Sequence, residues 1–171
     1  MVEVYQEIFT QDEMCSTSFP SRLIFNDTCL EVDAKLITKK VETGGVAFNS
    51  EEGEEKVEGG DETGKSVINI VDAFNLKETQ MDKKGVIQWA KPYVGKIKAI
   101  LVKENPSRVE AFKSGAQEFV KFLVQKIDIM QVFMTEKMDL DNGLCFIYSV
   151  DDKGENYKAL FFRDGLKLVK Y

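Results

Sequence analysis

Gly59-Gly60-Asp61-Glu62-Thr63-Gly64-Lys65-Ser66 fits the spacing G-x-x-x-x-G-K-[ST] of a phosphate-cradling loop. That loop works when a buried strand precedes it and a helix N-terminus follows, so that backbone N–H groups point at the phosphates. Here the Glu-rich stretch 51–58 precedes it, Asp61 and Glu62 lie inside it, and Val67-Ile68-Asn69-Ile70-Val71 after it reads as a strand. A triphosphate would be repelled, so the match reads as a coincidence within a Gly-rich loop. Asp139, Asp141, Asn142 and Gly143 resemble the start of a calcium loop. The EF-hand needs Gly at its sixth position, and counting from Asp139 that position is Leu144, so a β-turn is the better reading. Calcium could still be held weakly by carboxylates gathered from separate loops. Thr10-Gln11-Asp12-Glu13-Met14 sets two adjacent acids after the first strand, either to cap a turn or to bind a cation.

The chain has no His, which removes the commonest general base, the Ser-His-Asp and Cys-His nucleophile pairs, and the usual zinc and copper ligands. Cys15, Cys29 and Cys145 are odd in number, widely spaced and without a Cys-x-x-Cys pair. They read as reduced thiols packed in the core of a cytoplasmic protein. No apolar run approaches the ~20 residues that span a bilayer, and Met1–Tyr5 lacks the layout of a secretory signal.

The elements that must position these residues follow from periodicity. In 29–36, Leu30, Val32, Ala34 and Leu36 alternate with Glu31, Asp33 and Lys35, which marks a half-buried strand. Residues 2–9, 22–25, 128–135, 143–150 and 157–163 are further strands, and Ser66–Phe74 reads as another. Val86, Ala90, Tyr93, Val94, Ile97 and Leu101 recur at helical spacing, with Pro92 inside the run. Val109, Phe112, Ala116, Phe119, Val120, Leu123 and Ile127 mark a second helix, with Pro106 in its first turn and Asn105 as its expected cap. The short connection predicts an antiparallel helical hairpin over 83–126. Residues 42–65 combine glycines with acids and bury little, which predicts a mobile loop. The length fits a single domain, 1–171, of α+β class: mainly antiparallel strands with one inserted helical hairpin.

Charge is distributed unevenly over this frame. Residues 83–126 carry ten basic side chains against three acidic, a net +7, whereas the rest of the chain carries 13 against 26. Acid peaks over 42–62, with eight acidic residues against Lys56. The acidic total disfavours nucleic acid. The basic hairpin face is either plain solvated surface or a dock for an acidic partner.

Several segments, in order, resemble the translationally controlled tumour protein (TCTP, histamine-releasing factor) family from end to end. Asp12-Glu13-Met14 stands in its H-D-E-M-type segment, with Gln11 in place of His, and Cys29-Leu30-Glu31-Val32 matches its C-L-E-V strand. Gly44-Gly45 opens a looser version of its acidic I-G-G-N-A-S loop, and Val71-Asp72 with Leu76-Lys77-Glu78-Thr79 fits V-D-I-V…L-Q-E-T. Phe133-Met134-Thr135-Glu136-Lys137-Met138 stands for F-I-G-E-N-M, and Phe161-Phe162-Arg163-Asp164-Gly165-Leu166 for F-F-K-D-G-L.

The resemblance implies a β-tent with a helical hairpin, similar to Rab-binding accessory proteins. It implies a non-enzymatic, mostly monomeric, cytoplasmic protein that binds calcium and associates with tubulin and microtubules in growth regulation, with non-classical secretion also known in the family. The alternative is an exchange factor or chaperone for a Ras-like small GTPase, contacted through Glu13 and Glu136. By the same resemblance, weak non-EF-hand calcium falls to Thr10, Asp12, Glu13 and Glu136, where Lys137 beside Glu136 weakens the site. Tubulin falls to Lys83, Lys84, Lys91, Lys96, Lys98, Lys103, Lys113, Lys121 and Lys126 of the hairpin.

Overall fold

A computed structural model describes residues 2–40 and 64–170. The expected mobile loop, 42–65, lies outside the described residues except for its last two positions. Gly64 and Lys65 belong to a strand, so the loop as drawn from sequence runs too far.

Four strands open the chain: β1 (Glu3–Glu7), β2 (Glu13–Ser16), β3 (Ser21–Ile24) and the long β4 (Cys29–Lys40). After β5 (Gly64–Ile68) come a short helix α1 (Asn69–Phe74), β6 (Lys77–Thr79), and the hairpin helices α2 (Lys83–Glu104) and α3 (Val109–Lys126). Four more strands follow: β7 (Met130–Met134), β8 (Cys145–Ser149), β9 (Asn156–Phe162) and β10 (Leu166–Lys170). All pairings among these strands are antiparallel. One sheet runs β10-β1-β2; the other runs β3-β4-β9-β8-β7-β6, with β5 added on the outer half of β4. The chain is thus a mixed α+β protein with antiparallel sheets and a helical hairpin.

The large sheet is covered on both faces. On one, Cys29, Phe146, Leu160 and Phe162 pack with Trp89, Phe112, Phe119 and Leu123 of the hairpin. On the other, Leu30, Val32, Cys145, Ile147 and Phe161 pack with Tyr5, Cys15 and Leu166 of the small sheet. This is why Leu144–Ile147 and Ala159–Phe162 are unbroken apolar runs rather than alternations: both faces are dry. Glu31, read as an outward polar residue, is buried for the same reason, with Arg22 Nε 2.5 Å from its carboxylate.

Two local readings change. Ser66–Phe74 is not one strand: extended backbone ends at Ile68 and α1 begins. Val67, Ile68, Ile70, Val71 and Phe74 make a near-continuous apolar run in which 67, 70, 71 and 74 also fall at helical spacing, and in so short a run periodicity does not separate strand from helix. The Asn69 side chain fixes the switch by accepting from Ile70 N at 2.8 Å and from Lys35 N on β4 at 3.0 Å. Asn105 makes no side-chain cap on the second helix. Pro106–Arg108 instead form a 3-10 turn leading into α3. The capped start is that of α2, where Asp82 accepts from Gly85 N at 2.8 Å. α2 runs through Pro92 as one helix. Among the described residues no helix is long and apolar enough to cross a membrane.

Candidate functional site

The hairpin turns its apolar stripe inward, and all nine lysines expected to bind a partner are exposed on it. Two of them have local partners. Lys96 donates to Asn142 Oδ1 and lies 4.4 Å from the centre of the Phe9 ring. Lys113 is 3.8 Å from Glu110, one helical turn away, an exposed pair of small worth. The tenth basic residue of the segment, Arg108, is withdrawn from the surface charge. Its guanidinium grips Asp164 with two bonds of 3.0 and 2.8 Å, and also donates to Asn26 O at 2.6 Å and Thr28 Oγ1 at 3.1 Å. This fork ties the start of α3 to the Arg163–Gly165 turn and to the 25–28 turn.

The second cluster joins residues 10–13 to 135–142. Lys137 lies 3.2 Å from Asp12, so the two segments assigned to calcium and to a GTPase are neighbours. Glu13 and Glu136 are both exposed, Glu13 at the first position of β2. Thr10 Oγ1 accepts from Asp12 N at 3.2 Å, closing a short turn. The second Asp12 carboxylate oxygen and the buried Thr135 hydroxyl have no hydrogen-bond partner. Among the described residues no three His, Cys, Asp or Glu side chains converge as a metal set. Asp139, the start of the apparent calcium loop, accepts from Asp141 N and Asn142 Nδ2, each at 2.8 Å. The turn reading therefore holds there. Gly64, Lys65 and Ser66 of the apparent phosphate loop are extended in β5 and paired with Lys40, Lys39 and Thr38 of β4, so they do not curl around a phosphate, and α1 begins only at Asn69.

What holds both clusters in place is a residue the sequence reading passed over. Glu7, at the end of β1, is fully buried. One carboxylate oxygen accepts from Phe9 N at 2.9 Å and Thr10 N at 2.8 Å; the other accepts from Tyr93 Oη at 2.8 Å and Gly143 N at 3.2 Å. Burial, then the Glu7 charge and the hydrogen bond to it, hold the Tyr93 phenol well above its ordinary pKa, so it stays a donor. Trp89 Nε1 adds a bond to Asn142 O at 2.8 Å. A single carboxylate thus connects the small sheet, the middle of α2 and the 135–143 loop. In the sequence Glu7 is one acid at the end of an alternating strand; only its four donors, two from the adjoining turn and two from distant segments, identify it.

A family model described as translationally controlled tumour protein matches residues 2–167. A translationally controlled tumour protein homologue from Dictyostelium discoideum is 41% identical over 99% of this chain and 100% of its own. One from Mycosarcoma maydis is 35% identical over 99% of each. The solved translationally controlled tumour-associated protein p23fyp of Schizosaccharomyces pombe superposes with a TM-score of 0.81 at 29% identity, covering both chains fully.

Proposed function

The chain belongs to the translationally controlled tumour protein family, and on that premise we propose that it is a non-enzymatic docking protein whose hairpin binds acidic partners, tubulin foremost. The observation that carries this reading is the placement of Lys83, Lys84, Lys91, Lys98, Lys103, Lys121 and Lys126 on solvated helix faces while Arg108 is turned inward. Tubulin tails are acidic, and a field of one sign steers such an encounter. Microtubule stabilisation and growth regulation in the cytoplasm follow from that docking. Reversing Lys84, Lys91, Lys98 and Lys103 to Glu should abolish microtubule co-sedimentation while leaving the circular dichroism spectrum unchanged. Undiminished co-sedimentation would refute the surface.

A second reading concerns Thr10, Asp12, Glu13 and Glu136. The unpartnered Asp12 oxygen and Thr135 hydroxyl favour weak calcium binding in competition with the Lys137 ammonium. Calorimetry should find tighter calcium binding in Lys137→Ala than in the native chain, and equal affinities would exclude the site. The exposure of Glu13 and Glu136 on adjoining segments supports the same surface as the contact for a Ras-like small GTPase. In that case Glu13→Ala should weaken binding of the GTPase without affecting the hairpin's partner.

A further inference from the structure

The outward face of α2 carries a pattern that the docking of a flexible acidic tail does not need. Lys84, Ile87, Lys91, Gly95, Lys98 and Val102 recur at steps of three, four, four, three and four residues. At 100° per residue these fall within about 80° of arc, and they form a seam about 27 Å long. The three lysines repeat at seven residues. Along the same seam stand two apolar side chains left in water, Ile87 at 41% and Val102 at 53% exposure, and a glycine. A Cβ built on Gly95 meets nothing within 4 Å, so the middle of the seam is bare backbone that nothing in the described fold requires to be glycine. Glycine weakens a helix interior relative to alanine.

From this geometry we infer that α2 packs side by side against an acidic amphipathic helix of another protein, along the seam Lys84–Val102. A spacing of three and four sustained over five steps is the seam along which two helices interlock at a shallow crossing angle. Gly95 admits the partner's bulky side chain at mid-seam, while Ile87 and Val102 supply apolar contacts on either side. Lys84, Lys91 and Lys98 pair with carboxylates spaced one heptad apart, and their long stems cover the apolar edges. Charge selects this occupant. A second copy of the chain laid on the same seam would set lysine rows against each other.

The inference rests on the proposed docking role and narrows its partner from an acidic tail to a structured acidic helix. It is tested on the full chain with two labelled peptides of equal charge. One is a helix-forming peptide with Glu at heptad spacing and Leu on the adjoining positions; the other is an unstructured polyglutamate. Fluorescence anisotropy should show the helical peptide binding at least about tenfold tighter, as buried apolar anchors add to charge. Gly95→Leu, whose side chain fits the folded monomer, should remove that advantage and leave polyglutamate binding unchanged. Ile87→Ser with Val102→Ser should do the same. Equal binding of both peptides, lost in the lysine reversals, would overturn the seam and leave the electrostatic docking role standing. Binding of neither peptide would take down both. Self-association in sedimentation velocity, or capture by phosphatidylserine vesicles, would overturn it in favour of another occupant if abolished by Gly95→Leu.

Discussion

At the scale of residues, the decisive groups are buried and protonated or fully bonded. Removing the Tyr93 hydroxyl leaves the Glu7 carboxylate with one donor fewer in a dry site. Tyr93→Phe should therefore cost about 1–3 kcal/mol in urea unfolding, and a loss below a few tenths would mean that water replaces the phenol. Alkaline pH tests the same interior. Burial pushes the Cys15 thiol up to about 12 and raises Cys29 and Cys145 as well, the last also through its two thiol neighbours. Tyr93 is raised by burial first, then by Glu7. All four bind their proton more tightly folded than unfolded. Their contribution is complete below the ordinary thiol range and is lost as pH climbs above about 9. Each group released only on unfolding steepens the loss by about 1.4 kcal/mol per pH unit. Urea midpoints should hold from pH 7 to about 8.5 and then fall, and a flat profile to pH 11 would contradict the burial.

At the scale of elements, two of the hairpin's three glycines have opposite consequences. Gly115, on α3, faces the turn after β3 so closely that a Cβ would stand 2.2 Å from both Phe25 O and Thr28 Oγ1. That turn is itself unusual: Phe25, Asn26 and Asp27 all have positive φ, at 55°, 56° and 62°. Three such residues in succession cost about 1–2 kcal/mol each. The hairpin holds them through Arg108 on Asn26 O and through Phe25 against Phe119 and Phe122. Gly115→Ala must push the helix off this turn and should destabilise by about 1–3 kcal/mol or more. Gly95→Ala, in open space on the opposite side of the hairpin, should stabilise by about 0.5–1 kcal/mol. Thermal unfolding of the two variants checks both signs, and a shift in the same direction would contradict the assignment of faces.

At the scale of the whole molecule, charge is segregated. The hairpin's nine lysines are all exposed, a concentration of basic charge on a chain of net −6. An encounter guided by that charge is screened over a Debye length of about 8 Å at physiological ionic strength. Co-sedimentation with microtubules should therefore weaken steeply as salt rises, mainly through slower association. If the seam on α2 also packs, part of the binding should persist at high salt in the native chain and vanish in Gly95→Leu. Salt-independent binding in both would point to a surface other than the hairpin.

By itself the sequence determined what repeats along the chain. The helical hairpin, its buried stripe, the strand at 29–36 and the charge polarity all follow from local spacing, because one element with one buried face leaves a periodic record. The order of short motifs determined the family. The tertiary structure alone decided where periods are ambiguous and where distant residues meet. Residues 66–74 are a short apolar run that suits a strand or a helix, and Asn69 bonding to Lys35 on β4 breaks the tie. Arg108 counts as hairpin charge in the sequence and becomes a clamp only beside Asp164, 56 positions away. Glu7 becomes the knot of the molecule only when Tyr93 and Gly143 reach it from 86 and 136 residues along the chain. Such bonds leave no periodic trace, since a buried polar group is defined by the partners that folding brings to it rather than by its neighbours in the chain.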